Sequence, residues 1–218
     1  MKKNELKIPS FKREDCKIGI VHLGAGNFHR AHQALYINNY LNQTGDLDWG
    51  ICAINLRKEE QENFNFLQDR DGKYVLKTIS TLGDKEYHEI HSIQNLIDWN
   101  KDKEDAENIL SNPDVEVVTM TVTESGYYIS ENNKLNLNLE IVKNNIEKKE
   151  STIIFSYLLN ALKKRMESID KEITLLCCDN IRENGLMLEN ALKIYVENSR
   201  EFELLEWINH KVSFPSCV

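Results

Sequence analysis

The chain has 218 residues, 41% of them hydrophobic and 28% charged, which suffices for one buried core. Nine glycines and three prolines exclude a collagenous or low-complexity chain. A net charge of -8 opposes the basic surface that nucleic-acid binding requires, and no uncharged apolar run approaches the roughly 20 residues of a membrane span.

The amino end, MKKNELKIPS, has no apolar stretch behind its lysines, so no secretory leader is expected, and residues 1–16 read as an arm. Lys17 to Gly24 (KIGIVHLG) is short, β-branched and apolar on both faces, the pattern of a buried parallel strand. His29 to Asn42 carries apolar residues at helical spacing and is stopped by Thr44-Gly45-Asp46. Trp49 to Leu56 (WGICAINL) is a second buried strand, which completes a βαβ unit.

Lys73 to Ser80 and Glu86 to Ile93 alternate around Leu82-Gly83-Asp84 and predict a β-hairpin inserted into the sheet order. A helix containing Ala106 to Leu110 ends at Asn112-Pro113, and Val115 to Val122 is another buried strand leading to the turn Thr123 to Gly126. Residues 131–150 read as a surface loop with a short helix. Ser151 is the expected N-cap of a helix over 152–167, followed by a strand at Glu172 to Cys178 and a helix at Asn184 to Asn198. Strands alternating with helices predict an α/β, doubly wound, mostly parallel Rossmann-type sheet spanning residues 17–218.

Gly24-Ala25-Gly26-Asn27-Phe28-His29-Arg30 joins the first strand to its helix. The first glycine suits a tight turn, the second lets a pyrophosphate approach, and the helix start offers free N–H groups. His29 stands where G-x-G-x-x-G has its third glycine, and a purely structural turn fits the pair as well. A ribose-binding carboxylate is expected after the second strand. Glu59 and Glu60 are better placed than Asp46 or Asp48, and a carboxylate there favours NAD over NADP, although Lys58-Glu59-Glu60 fits the start of a solvated helix equally.

His29 and His32 have the spacing of a shared helix face, but no third ligand follows, so packing histidines are expected and no metal site. Cys16, Cys52, Cys177, Cys178 and Cys217 include no CxxC pair and read as free thiols of a reducing, cytoplasmic compartment. Asn180 falls at the carboxyl end of a strand, where it either donates a hydrogen bond to a developing oxyanion or shapes a structural turn.

Four stretches, IVHLGAGNFHRAHQALY, WGICAINLR, TVTESGYY and LLCCDNIRENG, resemble the long-chain polyol-specific (mannitol) dehydrogenase family, and VSFPSCV looks like the start of its F-P-N-x-M-V-D-R-I-T-P signature. Within the family they look most like the D-arabinitol 4-dehydrogenases, with mannitol 2-dehydrogenases and hexuronate reductases as alternatives. The resemblance implies an NAD-dependent, metal-independent oxidoreductase that takes a small polyol to a ketose. It implies cofactor contacts from Gly24, Ala25, Gly26, Asn27, Phe28, Arg30, Glu59 and Glu60. Asn180 would match half of the oxyanion site, and Glu124 a glutamate near the proton path. Ser125 and Ser216 depart from the family's glycine and asparagine.

The family's general base is a lysine in K-x-x-x-x-N-x-x-H on a helical second domain, and no lysine here has that context. The expectation is therefore a cofactor-binding half without the catalytic domain, inactive alone. The competing expectation is a non-enzymatic NAD-binding or interaction module whose exposed face a partner or the missing domain covers.

Overall fold

The computed structural model describes residues 5–58, 61–130 and 134–217. The chain runs through β1 (Leu6–Lys7), β2 (Ile18–Leu23), α1 (Asn27–Ala31), α2 (Gln33–Thr44), β3 (Gly50–Asn55) and α3 (Gln61–Gln68). It continues through β4 (Tyr74–Ile79), β5 (Lys85–Ile90), β6 (Ile93–Asp98), α4 (Lys103–Asn108), β7 (Val117–Met120) and α5 (Glu140–Glu147). The last elements are α6 (Ile154–Ser168), β8 (Ile173–Cys177), α7 (Asn184–Asn198), α8 (Phe202–Lys211) and β9 (Val212–Ser213).

Six strands form one sheet in the order β6-β3-β2-β7-β8-β9, and every pairing in it is parallel. Chain order therefore runs outward from β2 to β3 and β6 on one side, then from β7 to β8 and β9 on the other. The reversal opens a crevice beyond the carboxyl ends of β2 and β7, the place where open α/β sheets receive ligands. This is the expected doubly wound Rossmann-type arrangement.

Both sheet faces are covered, which is why β3 is buried at all six positions and reads as an unbroken apolar run. Side chains alternate across the sheet. Val21, Leu23, Cys52, Ile54, Val118 and Met120 face a large core shared with α6 and α7. Ile20, Ile51 and Ala53 face a smaller core with Ala34 of α2 and Ile90 of β5. Within the larger core Arg165 of α6 is fully buried, its guanidinium donating to the carbonyls of Leu110, Val115, Lys171 and Glu172 at 2.6–3.0 Å. One side chain thus ties together two connections, the one from α4 to β7 and the one from α6 to β8.

Four sequence expectations need correction. The segment His29 to Asn42 is two helices, broken at His32 (φ -120°, ψ -83°). His29 and Ala34 both face inward, and five residues of continuous helix would set them about 140° apart, so the break restores the phase. The hairpin β4–β5 lies between α3 and β6 in the chain but stays out of the main sheet, pairing with β1 as a separate sheet, β1-β5-β4. One edge of the main sheet is instead β6, of which the expected hairpin includes only Ile93 and for which no strand is expected over residues 94–98. Finally, Ser151 does not cap α6. Ile153 holds the N-cap position, and the Ser156 hydroxyl accepts its N–H at 3.1 Å and donates to its carbonyl at 2.6 Å.

The arm packs on this second sheet. It pairs through β1 with β5, and its Arg13 reaches the main sheet, donating to the carbonyls of Ile93 (2.5 Å) and Gln94 (3.2 Å) in β6. Among the described residues no helix is long and apolar enough to cross a membrane.

Candidate functional site

The carboxyl end of β2 turns sharply at Gly24, whose φ of +97° suits glycine. A β-carbon on Gly24 would lie 2.3 Å from the Thr121 carbonyl oxygen, so the turn passes directly against the end of β7. Gly26 differs. A β-carbon there would meet nothing closer than the Gly24 carbonyl oxygen at 3.9 Å, so the protein itself leaves the space above Gly26 open. Gly24 is required by the fold, and Gly26 borders empty space. That space is a cleft of about 470 Å³ over the sheet reversal, within the usual size range of small-molecule sites.

Gly24 to Phe28 form one wall of the cleft, and the opposite side comes from Thr121 to Thr123 and Cys178 to Asn180. Asn55, Leu56, Arg57 and Phe64 close the β3 end. The first-turn N–H groups of α1 have no acceptor inside the helix, which makes the wall receptive to anions.

The cleft therefore gathers Gly24, Ala25, Gly26, Asn27, Phe28 and Asn180 from the residues singled out in the sequence. Arg30 and Glu124 are not among its lining residues. Arg30 turns back onto the Asn27 side-chain oxygen, while its carbonyl accepts the Tyr74 hydroxyl at 2.6 Å. Glu124 is exposed at the start of the 3-10 turn Glu124–Tyr127. Glu59 and Glu60 lie outside the described residues.

A polar layer supports the turn from below. His22 and His29 are buried and stacked, with ring centroids 3.7 Å apart and planes 14° from parallel. His22 Nδ1 meets Thr119 Oγ1 at 2.8 Å, and its Nε2 meets the Gly24 carbonyl and Thr121 Oγ1, each at 3.1 Å. His29 Nδ1 lies 3.0 Å from Gln33 Oε1, and Gln33 donates to Thr119 Oγ1 at 3.1 Å. His32 points elsewhere, stacking on Phe28 at 5.2 Å, so the two histidines of α1 and its end do not share a site. Among the described residues no cluster of three or more His, Cys, Asp or Glu could hold a metal ion.

Burial holds His22 well below the usual imidazole range and His29 down at about 4. Both are neutral in the folded protein at pH 7. Below the unfolded value of 6.5 the unfolded chain takes up protons that the folded chain refuses, so stability is full above that pH and falls toward about pH 4. Between pH 7 and pH 5 the unfolding free energy is expected to drop by about 2 kcal/mol from His29 alone. Urea unfolding at the two pH values checks this, and equal or greater stability at pH 5 would contradict it.

On the far wall, Asp179 is a structural carboxylate. It accepts the Val122 N–H at 2.9 Å and the Tyr127 hydroxyl at 2.7 Å, tying the end of β8 to the turn after β7. Asn184, fully buried, donates to the carbonyls of Cys177 and Asp179 at 2.9 and 3.1 Å and fixes the following bend. Asn180 stands between these anchors, exposed in the cleft and on a rigid base. Burial raises the Cys177 thiol and pushes Cys178 up to about 11, so neither is a thiolate at neutral pH.

Sequence reasoning missed the His22 layer and Arg57. The first left a signal: a histidine in an apolar strand, with Thr119 and Thr121 two apart in VEVVTMTV. Arg57 left none. Its Nη2 donates to the Val122 carbonyl and, at 3.0 Å, to Thr123 Oγ1, and Thr123 sits in left-handed space (φ +66°, ψ +157°) that non-glycine residues seldom enter.

The family model of the mannitol dehydrogenase Rossmann domain matches residues 18–218. The chain belongs to this family. It is 33% identical over 198 residues to D-arabinitol 4-dehydrogenase of Klebsiella pneumoniae, covering 91% of this chain and 43% of that protein. Against D-mannonate oxidoreductase of Escherichia coli strain K12 it is 32% identical over 220 residues, 95% of this chain and 43% of the relative. Its fold superposes on Pseudomonas fluorescens mannitol 2-dehydrogenase, solved as a ternary complex with NAD and D-mannitol, with a TM-score of 0.88 and 30% identity over 96% of this chain and 43% of that one. The chain thus spans less than half the length of these relatives, and the family model it matches is that of the Rossmann domain.

Proposed function

We propose that the cleft at the sheet reversal binds NAD, and that residues 17–218, with 1–16 as an arm, are the cofactor-binding unit of a polyol oxidoreductase. The observation that carries this reading is the open space at Gly26, directly over the switch point. A cradle that a β-carbon would fill but no protein atom occupies suits the close approach of a pyrophosphate. When bound, NAD supplies the hydride acceptor for the alcohol carbon. Gly24 to Phe28 hold the phosphates and reach toward the nicotinamide, with Arg30 bracing Asn27 from behind. Glu59 and Glu60 select the ribose hydroxyl. Asn180 donates its amide hydrogen bond to the substrate oxygen as charge develops there, and Glu124 sits on the proton path.

The substrate proposed is a small open-chain sugar alcohol, with D-arabinitol favoured by the similarity to D-arabinitol 4-dehydrogenase. The similarity to D-mannonate oxidoreductase keeps a hexuronate-derived alcohol as the second reading. Neither is turned over appreciably by these 218 residues alone, because no lysine among them stands in K-x-x-x-x-N-x-x-H, so the hydroxyl proton has no base. A polypeptide carrying that base would cover the cleft. Five free thiols fit a reducing, cytoplasmic compartment.

NADH fluorescence titration tests the reading with a built-in control. The wild-type chain is expected to give weak but saturable binding. Gly26→Val, whose β-carbon would meet nothing closer than 3.9 Å, is expected to keep the thermal stability and lose at least tenfold in affinity, about 1.4 kcal/mol. Equal affinity of the two proteins would sink the assignment of the cradle. D-arabinitol oxidation by the isolated chain would overturn the proposed inactivity.

A further inference from the structure

We propose that Arg57 straddles the mouth of the cleft in the free protein and serves as the binding cation for the cofactor's pyrophosphate. This rests on the cofactor reading above and adds a residue to it that neither the glycine motif nor the carboxylates after β3 supply. Three observations point the same way.

The first is topological. Arg57 stands two residues past the end of β3, and Val122 two residues past the end of β7, while β2 lies between these strands in the sheet. A bond from the Arg57 guanidinium to the Val122 carbonyl and Thr123 hydroxyl must therefore cross the carboxyl end of β2. Gly24 and Gly26 sit there, so the guanidinium lies across the approach to the glycine turn.

The second is electrostatic. The chain carries a net charge of -8, which repels a dianionic ligand. Of the described side chains lining the cleft, Arg57 is the only cation and Asp179 the only anion. Asp179 is already engaged by the Val122 N–H and the Tyr127 hydroxyl. The Gly24 and Gly26 N–H groups are spent on the carbonyls of Ile54 and Gly24, so Arg57 is the charged group that draws a pyrophosphate to the cleft.

The third is chemical capacity. Both bonds that Arg57 makes to the β7 side use Nη2, and a guanidinium has five donors in a planar fork. Its remaining donors match the spacing of two phosphate oxygens, a geometry a lysine ammonium does not reproduce. The same side chain can then hold the strained Thr123 turn with one nitrogen and a phosphate oxygen with the others.

The test compares the full chain with Arg57→Gln and Arg57→Lys by NADH titration at several salt concentrations. Wild-type Kd is expected to rise between about 50 and about 200 mM salt, because the attraction is ionic and partly exposed. Arg57→Gln is expected to bind tenfold or more weakly, with a clearly flatter dependence of log Kd on log salt. Arg57→Lys is expected to bind several-fold more weakly while keeping the wild-type salt slope, since the charge stays and the fork is lost.

Affinity within twofold of wild type in Arg57→Gln overturns the proposal. So does a loss with an unchanged salt slope, which would mark Arg57 as a purely structural tie of the Thr123 turn. If the glutamine variant fails to fold, the wild-type slope decides alone, and a salt-independent Kd overturns the proposal. Absence of saturable NADH binding in the wild type overturns the underlying cofactor reading instead, so the two failures are distinguishable.

Discussion

Arg165→Met is expected to lower the unfolding free energy by about 4 kcal/mol or more, the largest stability effect of any single change considered for this fold. Methionine roughly fills the volume but leaves the carbonyls of Leu110, Val115, Lys171 and Glu172 without their donor. Each buried unsatisfied acceptor costs about 1–3 kcal/mol, less whatever water or local shifts recover. Because small domains are stable by about 5–15 kcal/mol in total, the variant should sit near the edge of folding at room temperature. Urea denaturation reads the effect directly. A change below about 1 kcal/mol would mean that water satisfies those loop carbonyls and that Arg165 does not hold the loops together.

Gly24→Ala is the second large effect, and it acts on fold and ligand together. Alanine must adopt φ +97° and place its β-carbon 2.3 Å from the Thr121 carbonyl oxygen, so β2 and β7 have to separate at the switch point. The expected cost is about 3 kcal/mol of stability from backbone strain and overpacking, with loss of measurable NADH binding. The contrast with Gly26 carries the interpretation, because a β-carbon there has 3.9 Å of clearance. If Gly24→Ala melts at the wild-type temperature, the turn geometry is wrong, and the assignment of separate roles to the two glycines fails with it.

Much of the sheet was legible because a parallel strand buried on both faces has to be apolar throughout. KIGIVHLG, WGICAINL and VEVVTMTV read as strands for that reason, and they became β2, β3 and β7. The edge strand β6 did not stand out. Its sequence, IQNLID, is half-polar because an edge strand is partly exposed, and only His91 and Ser92 separate it from β5. Helix α8 carries a readable pattern, with Leu204, Trp207 and Ile208 buried at helical spacing. The two-residue strand β9 follows α8 without a turn and offers no periodicity at all.

The same division runs through the site. The glycine turn was legible because its chemistry is local: a strand end, two glycines and a helix start within a few residues. The place of Asn180 in the cleft was legible from its position at a strand end. Arg57 was not, because its meaning arises when the ends of β3 and β7, 65 residues apart in sequence, face each other across β2. His22 was hidden for a related reason, since its partners Thr119 and Thr121 come from a strand almost 100 residues on.

The central claim is that the cleft over the β2/β7 reversal is the dinucleotide site, and backbone hydrogen–deuterium exchange with and without saturating NADH tests it most directly. Slower exchange is predicted in segments 24–30, 55–58 and 121–126, with the hairpin at 74–90 unchanged. Exchange unaltered around Gly24 to Phe28, or protection confined to the hairpin, would contradict it.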